Sequence, residues 1–141
     1  MTKLETLLLK SYMKFKMRIK TFEDLIVWRK SISHTVELYN RFQVINDFGF
    51  KNQIQRASIS ISNNIAEGFE RGSDRDFRRF LFIAQGSCSE VKSMIFIAVK
   101  LNYITEQDFR FIYGQLTEIG RMLFGLIKTL NSSEIRKYRA D

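Results

Sequence analysis

A chain of 141 residues is sized for one domain with a single core. An apolar fraction of 45% with 13 Phe excludes a disordered chain, and the absence of Pro removes the commonest helix breaker. The single Cys excludes an intramolecular disulfide and a cysteine-based zinc site, so a cytoplasmic location is expected, while the net charge of +8 favours polyanionic partners.

Taken in chain order, residues 1–20 form a basic extension. They hold Lys3, Lys10, Lys14, Lys16, Arg18 and Lys20 against Glu5, and so carry +5 of the +8. The apolar cluster Leu7–Leu9 is too short for a signal peptide and has no small-residue cleavage site after it. This stretch is expected to be a basic amphipathic helix, a disordered arm, or an upstream addition with Met17 as the alternative start. No later run is expected to span a bilayer.

Three helix starts share one device. Thr21–Asp24, Ser73–Asp76 and Thr105–Asp108 each place a hydroxyl at the N-cap and a carboxylate three residues on, where it complements the helix dipole. Helix one is predicted from Phe22 to Gln43, with a seam of Leu25, Trp28, Ile32, Val36, Tyr39 and Phe42. Helix two runs from Asp47 or Phe48 to Gly68, read as a left-handed C-cap, with Ile54, Ala57, Ile61, Ile65 and Phe69 inside. Its Ser58–Ser62 alternation is too short to be a strand, and its small residues admit a close neighbour.

Helix three spans Asp74–Asn102 on Phe77, Leu81, Ala84, Cys88, Val91, Ile95 and Ala98. Helix four spans Glu106–Leu130 on Phe109, Ile112, Leu116, Ile119, Leu123, Leu126 and Leu130, with Gly114, Gly120 and Gly125 expected to permit close helix approach. Seams at this spacing and short connections predict an all-α, antiparallel, up-down-up-down four-helix bundle over residues 21–131. Residues 132–141 are read as a mobile basic tail containing Arg136, Lys137 and Arg139.

Helix three carries Phe80, Phe82, Ile83, Met94, Phe96, Ile97 and Val99 outside its seam, and helix four adds Phe111, Tyr113, Met122 and Phe124. So much apolar surface wants a second burial site. A homo-oligomer joined through helix faces is predicted, with Phe82, Phe96, Phe111 and Phe124 at its interface.

One block is more specific than periodicity. Gln53-Ile-Gln-Arg-Ala57, Asn64-Ile-Ala-Glu-Gly68, Phe69 and Arg71 are followed in step by Phe77, Arg79-Phe-Leu81, Ala84, Gly86-Ser87 and Glu90. Phe22-Glu-Asp-Leu25, Val27-Trp28 and Lys30 precede them. This pattern, over residues 22–130, resembles the four-helix-bundle family first noticed in intervening sequences of bacterial large-subunit ribosomal RNA genes. Gln55 stands where that family has a basic residue, and Ser62 where it often has Pro. The resemblance implies a four-helix bundle forming basic pentamers, whose association with RNA or ribosomes is a proposal from gene location. It is similar in fold to the accessory protein of diversity-generating retroelements, which implies a reverse transcriptase as an alternative partner.

Arg56, Arg71, Arg75, Arg78 and Arg79 form the candidate nucleic-acid site. Arg71 and Arg75 flank a helix start, where free N–H groups favour anions, and guanidinium forks suit phosphate. The opposing expectation is a solvated face neutralised by Glu70, Asp74 and Asp76. Asn63, Asn64 and Glu67 are expected to make structural hydrogen bonds, His34 stands alone, and Cys88 is a small buried apolar group. No catalytic or metal-ligating constellation is present, so no cofactor is expected and an enzyme is the least expected class. Three functions remain: binding nucleic acid or a nucleoprotein partner through a basic surface, the accessory role that the resemblance implies of holding a retroelement's reverse transcriptase and RNA, or serving as a protein-only scaffold.

Overall fold

The computed structural model describes the backbone of residues 2–140, with every side chain in that range except those of 12, 15–17 and 131–140. Among the described residues there are five α-helices: α1 Lys3–Arg18, α2 Ile26–Phe42, α3 Phe48–Glu70, α4 Asp74–Lys100 and α5 Glu106–Ala140. Among the described residues there is no strand. The expected count of four is corrected because the basic extension forms a helix of its own. Thr2 begins it: Glu5 N–H donates to Thr2 Oγ1 at 3.1 Å, and Thr2 N–H donates to Glu5 Oε2 at 2.7 Å. This is a reciprocal capping box. The side chains of the basic tail lie outside the described residues; its backbone continues α5 to Ala140.

The other capping devices act as their spacing predicts. Asp76 N–H donates to Ser73 Oγ and Asp108 N–H to Thr105 Oγ1, at 3.1 and 3.0 Å. The Thr21–Asp24 device instead opens a short 3-10 turn, Phe22–Asp24, and α2 follows only from Ile26. Asp47 caps α3 by accepting from Phe50 N–H at 3.1 Å, and it also accepts from the Tyr103 hydroxyl at 2.8 Å.

Around one core, α2 packs on α3, α3 on α4 and α4 on α5, and α2 also meets α5; α1 lies against α5. The α4 seam is as predicted: Phe77, Leu81, Ala84, Cys88, Val91, Ile95 and Ala98 are all buried. A fully buried Leu such as Leu81 contributes about 1.5–3 kcal/mol. Phe80 and Met94, expected outside this seam, are buried as well. By length and composition α4 is apolar enough to be a candidate membrane span, closer than the sequence expectation allowed, although Glu90 and Lys92 stand in its middle.

The α2 seam is corrected. Val27, Ser31, His34, Leu38 and Phe42 face the core, while Ile32, Val36 and Tyr39 are exposed. Two polar residues occupy the inward stripe, so apolar periodicity selects the outer one. Ser31 is satisfied locally, its hydroxyl donating to Val27 O at 2.7 Å.

The end of α3 is also corrected. The helix passes Gly68 and stops at Glu70, and the left-handed residue is Gly72, with φ of 81°. Gly68 has another role. A Cβ there would lie 2.5 Å from Phe80 Cβ, so the residue lets α4 approach closely. At the end of α4, Asn102 takes the left-handed position with φ of 58°. Tyr103 N–H then donates to Ala98 O and Asn102 N–H to Val99 O, which is a Schellman motif.

Gly114, Gly120 and Gly125 do not serve close approach within the chain. A Cβ on any of them would meet nothing within 4 Å.

Candidate functional site

The α3–α4 turn gathers most of the predicted arginines. Ser73 fixes the start of α4, so Arg75, Arg78 and Arg79 fall on adjacent positions of its first two turns. These three, with Ser73, Asp76 and Phe82, line an open cleft of about 650 Å³. Arg71 and Arg79 both lie over the Phe80 ring, at 5.1 and 4.8 Å from its centroid. Such cation–π contacts hold guanidinium planes against the protein while leaving their N–H groups available.

Of the acidic residues expected to neutralise this face, Asp76 pairs with Arg79 at 3.5 Å, whereas Arg71 pairs with Glu67 at 3.1 Å, a residue expected in another role. Both pairs are substantially exposed, and pairs of that kind contribute roughly 0–1 kcal/mol. Arg56 does not join the cluster. It precedes Glu70 by fourteen positions on α3, about 20 Å along the axis at 1.5 Å per residue.

The four phenylalanines assigned to an interface, Phe82, Phe96, Phe111 and Phe124, are 43–54% exposed. Phe96 belongs to an aromatic group with Phe109 and Tyr113, at centroid distances of 4.8 and 6.0 Å, and Lys92 lies 4.8 Å over Tyr113. Phe111 carries Arg41 over its ring and Phe124 carries Lys128.

Asn63 and Glu67 are exposed and Asn64 is half-buried, so the polar link between α3 and α4 runs through other groups. The hydroxyls of Ser60 and Ser87 meet at 2.8 Å, and Asn64 Nδ2 donates to Ser60 O. Between α2 and α3, the Thr35 and Ser58 hydroxyls also meet at 2.8 Å.

His34 is fully buried, with Nδ1 3.3 Å from Gln115 Oε1. Because a carbonyl oxygen only accepts, Nδ1 carries the proton and donates, and buried Nε2 has no partner. Burial lowers its pKa to about 4, with the Gln115 bond opposing the shift. Burial likewise pushes the Cys88 thiol up to about 12, consistent with an inert packing group. Among the described residues no group of three His, Cys, Asp or Glu side chains could hold a metal ion.

Several contributors were missed in the sequence. Arg41 forms an ion pair with Asp108 Oδ1, approaches Glu37 at 3.6 Å, and stacks 4.3 Å over Phe111. Asp108 is thus both a capping-box carboxylate and an interhelix partner. Only the first role leaves a local signal. The Thr2–Glu5 box has the same three-residue spacing as the recognised caps and was readable.

A search of curated proteins finds no match. A solved structure, a protein of unknown function from the S23 ribosomal protein family of Bacteroides thetaiotaomicron, is similar at 29% identity with a TM-score of 0.68. The similarity covers 73% of this chain and 99% of that one. The family model for the 23S rRNA-intervening sequence protein matches residues 23–125, which spans α2, α3, α4 and the first part of α5 and leaves α1 outside. The chain therefore belongs to the 23S rRNA-intervening sequence protein family.

Proposed function

We propose that the protein is a non-enzymatic, ring-forming helical bundle, a pentamer, that binds RNA or DNA through the arginine cleft at the α3–α4 turn. One observation carries this reading: Arg75, Arg78 and Arg79 line a single open cleft beside exposed Phe82. Guanidinium groups contact phosphate, and an exposed aromatic edge offers a stacking surface for an unpaired base. Arg56 lies too far along α3 to share that phosphate.

An up-down-up-down path for α2–α5 is part of the proposal. Lys30–Glu118, His34–Gln115 and Arg41–Asp108 join α2 to α5 in opposite chain order, which supports it. The exposed Phe96, Phe111 and Phe124 support assembly, with Phe82 given instead to the cleft.

Phosphate contacts position a protein but carry no sequence information, so binding is weakly sequence-specific. Fluorescence anisotropy with labelled RNA and DNA oligonucleotides tests this across a salt series. Affinity that is present at low salt and falls steeply by about 200 mM is expected. Absence of binding at low salt, or indifference to salt, overturns the reading and favours a protein-only scaffold.

A further inference from the structure

The helix α1 supplies nothing to the core: among its described side chains none is fully buried. It lies against α5, and its half-buried residues are Glu5, Thr6 and Leu9, which mark the side turned to the bundle. The other side carries Leu4, Leu7 and Leu8, which are 66%, 56% and 42% exposed, and Ser11 continues their three- and four-residue spacing. The helix therefore turns an apolar stripe away from the protein.

A row of cations runs beside that stripe. Lys3, Lys10, Lys14 and Arg18 are all exposed and stand seven, four and four positions apart, which keeps them on one flank. Glu5 is the one acidic residue of α1, and its carboxylate is taken up in the cap by Thr2 N–H at 2.7 Å. No acid stands among the leucines and the cations.

The combination of charge and apolar surface selects the partner. Leucine offers a nucleobase no stacking plane and a phosphate no donor, so a nucleic acid would leave the stripe in water. A second copy on the same face would bring another basic row against this one. The interface of an anionic bilayer suits both halves: the acyl boundary takes the leucines, and the headgroups meet cations carried on long apolar stems. With 16 residues, about 24 Å of helix, α1 is too short and too charged to cross a bilayer, so it lies in the plane of the interface.

We propose that α1 docks the protein on an anionic lipid surface, with Leu4, Leu7 and Leu8 in the interface and Lys3, Lys10, Lys14 and Arg18 on the lipid phosphates. This surface is additional to the nucleic-acid reading and independent of it, since no residue of α1 lines the arginine cleft.

Co-sedimentation of the full chain with vesicles tests the docking. One set is pure phosphatidylcholine, and the other is equal parts phosphatidylcholine and phosphatidylglycerol. Wild type is expected to pellet with the mixed vesicles and to stay in solution with the neutral ones. One variant carries Leu4→Gln, Leu7→Gln and Leu8→Gln, and a second carries Lys3→Gln, Lys10→Gln and Lys14→Gln. Gln is a good helix former and none of these positions is buried, so circular dichroism should match wild type. The leucine variant should lose more than about tenfold in affinity for mixed vesicles while binding labelled RNA as wild type does. The lysine variant should lose about a hundredfold for mixed vesicles, at about fivefold per cation. A wild type that ignores mixed vesicles, or binds both kinds alike, overturns the proposal. So does a leucine variant that keeps wild-type vesicle affinity, because charge alone would then hold the protein. A leucine variant that loses RNA affinity would make nucleic acid the partner of α1 and overturn it as well.

Discussion

Stability between pH 7 and pH 5 should be governed by His34. In the folded protein burial lowers its pKa to about 4 from the ordinary 6.5, because a protonated ring would be buried with Nε2–H facing no acceptor. The unfolded chain takes up this proton as pH falls through 6.5, and the folded chain resists until about pH 4. The unfolded state therefore binds more protons in this window, and stability falls as pH falls. At 1.36 kcal/mol per unit of pKa difference, moving from pH 7 to pH 5 removes about 2 kcal/mol. The carboxyls of Asp24 and Asp47 are held below their usual value by hydrogen bonds, chiefly from the backbone of Thr21 and Phe50 respectively. Their stabilising effect is lost only as pH falls below about 4, so the His34 window is free of them. The assay is urea unfolding followed by circular dichroism at several pH values, for wild type and for His34→Gln. Wild type should lose about 2 kcal/mol between pH 7 and 5, and the variant much less. Equal losses in both would refute the assignment of this pH dependence to His34.

Four further outcomes follow from the packing. Gly68→Ala should destabilise by about 1–3 kcal/mol, because its Cβ meets Phe80 Cβ at 2.5 Å; Gly114→Ala should instead stabilise by up to about 1 kcal/mol, and thermal melts of the two separate these signs. Ser73→Ala removes the acceptor for Asp76 N–H and should lower stability by about 1 kcal/mol in denaturant titration. Leu116→Ala, fully buried on α5, should lose about 2–5 kcal/mol in the same assay, with the larger figure if the core fails to close around the cavity.

The sequence exposed α4 almost completely, since its seam is built of apolar residues without exception. It misled on α2, where Ser31 and His34 occupy the inside and three large apolar residues occupy the outside. Periodicity locates apolar stripes; it does not say which of two a neighbouring helix will cover. The end of α3 offered two glycines four residues apart, and only tertiary structure distinguishes the close approach at Gly68 from the left-handed turn at Gly72. Among the arginines, spacing alone brought Arg75, Arg78 and Arg79 together. Arg56 was grouped with them by charge, and the rise of a helix separates it. The pairing of Arg41 with Asp108 joins residues far apart in the chain and left no local trace.

The arginine cleft is tested most directly by the salt dependence of binding. Labelled single-stranded RNA should be titrated with wild type and with a variant carrying Arg75→Gln, Arg78→Gln and Arg79→Gln, at salt from about 50 to 200 mM. Each phosphate contact on a single strand contributes about 0.7 to the slope of log affinity against log salt, so the triple variant should bind more weakly with a slope shallower by about 2. A variant with the wild-type slope and affinity would contradict the account and place any polyanion contact elsewhere on the molecule.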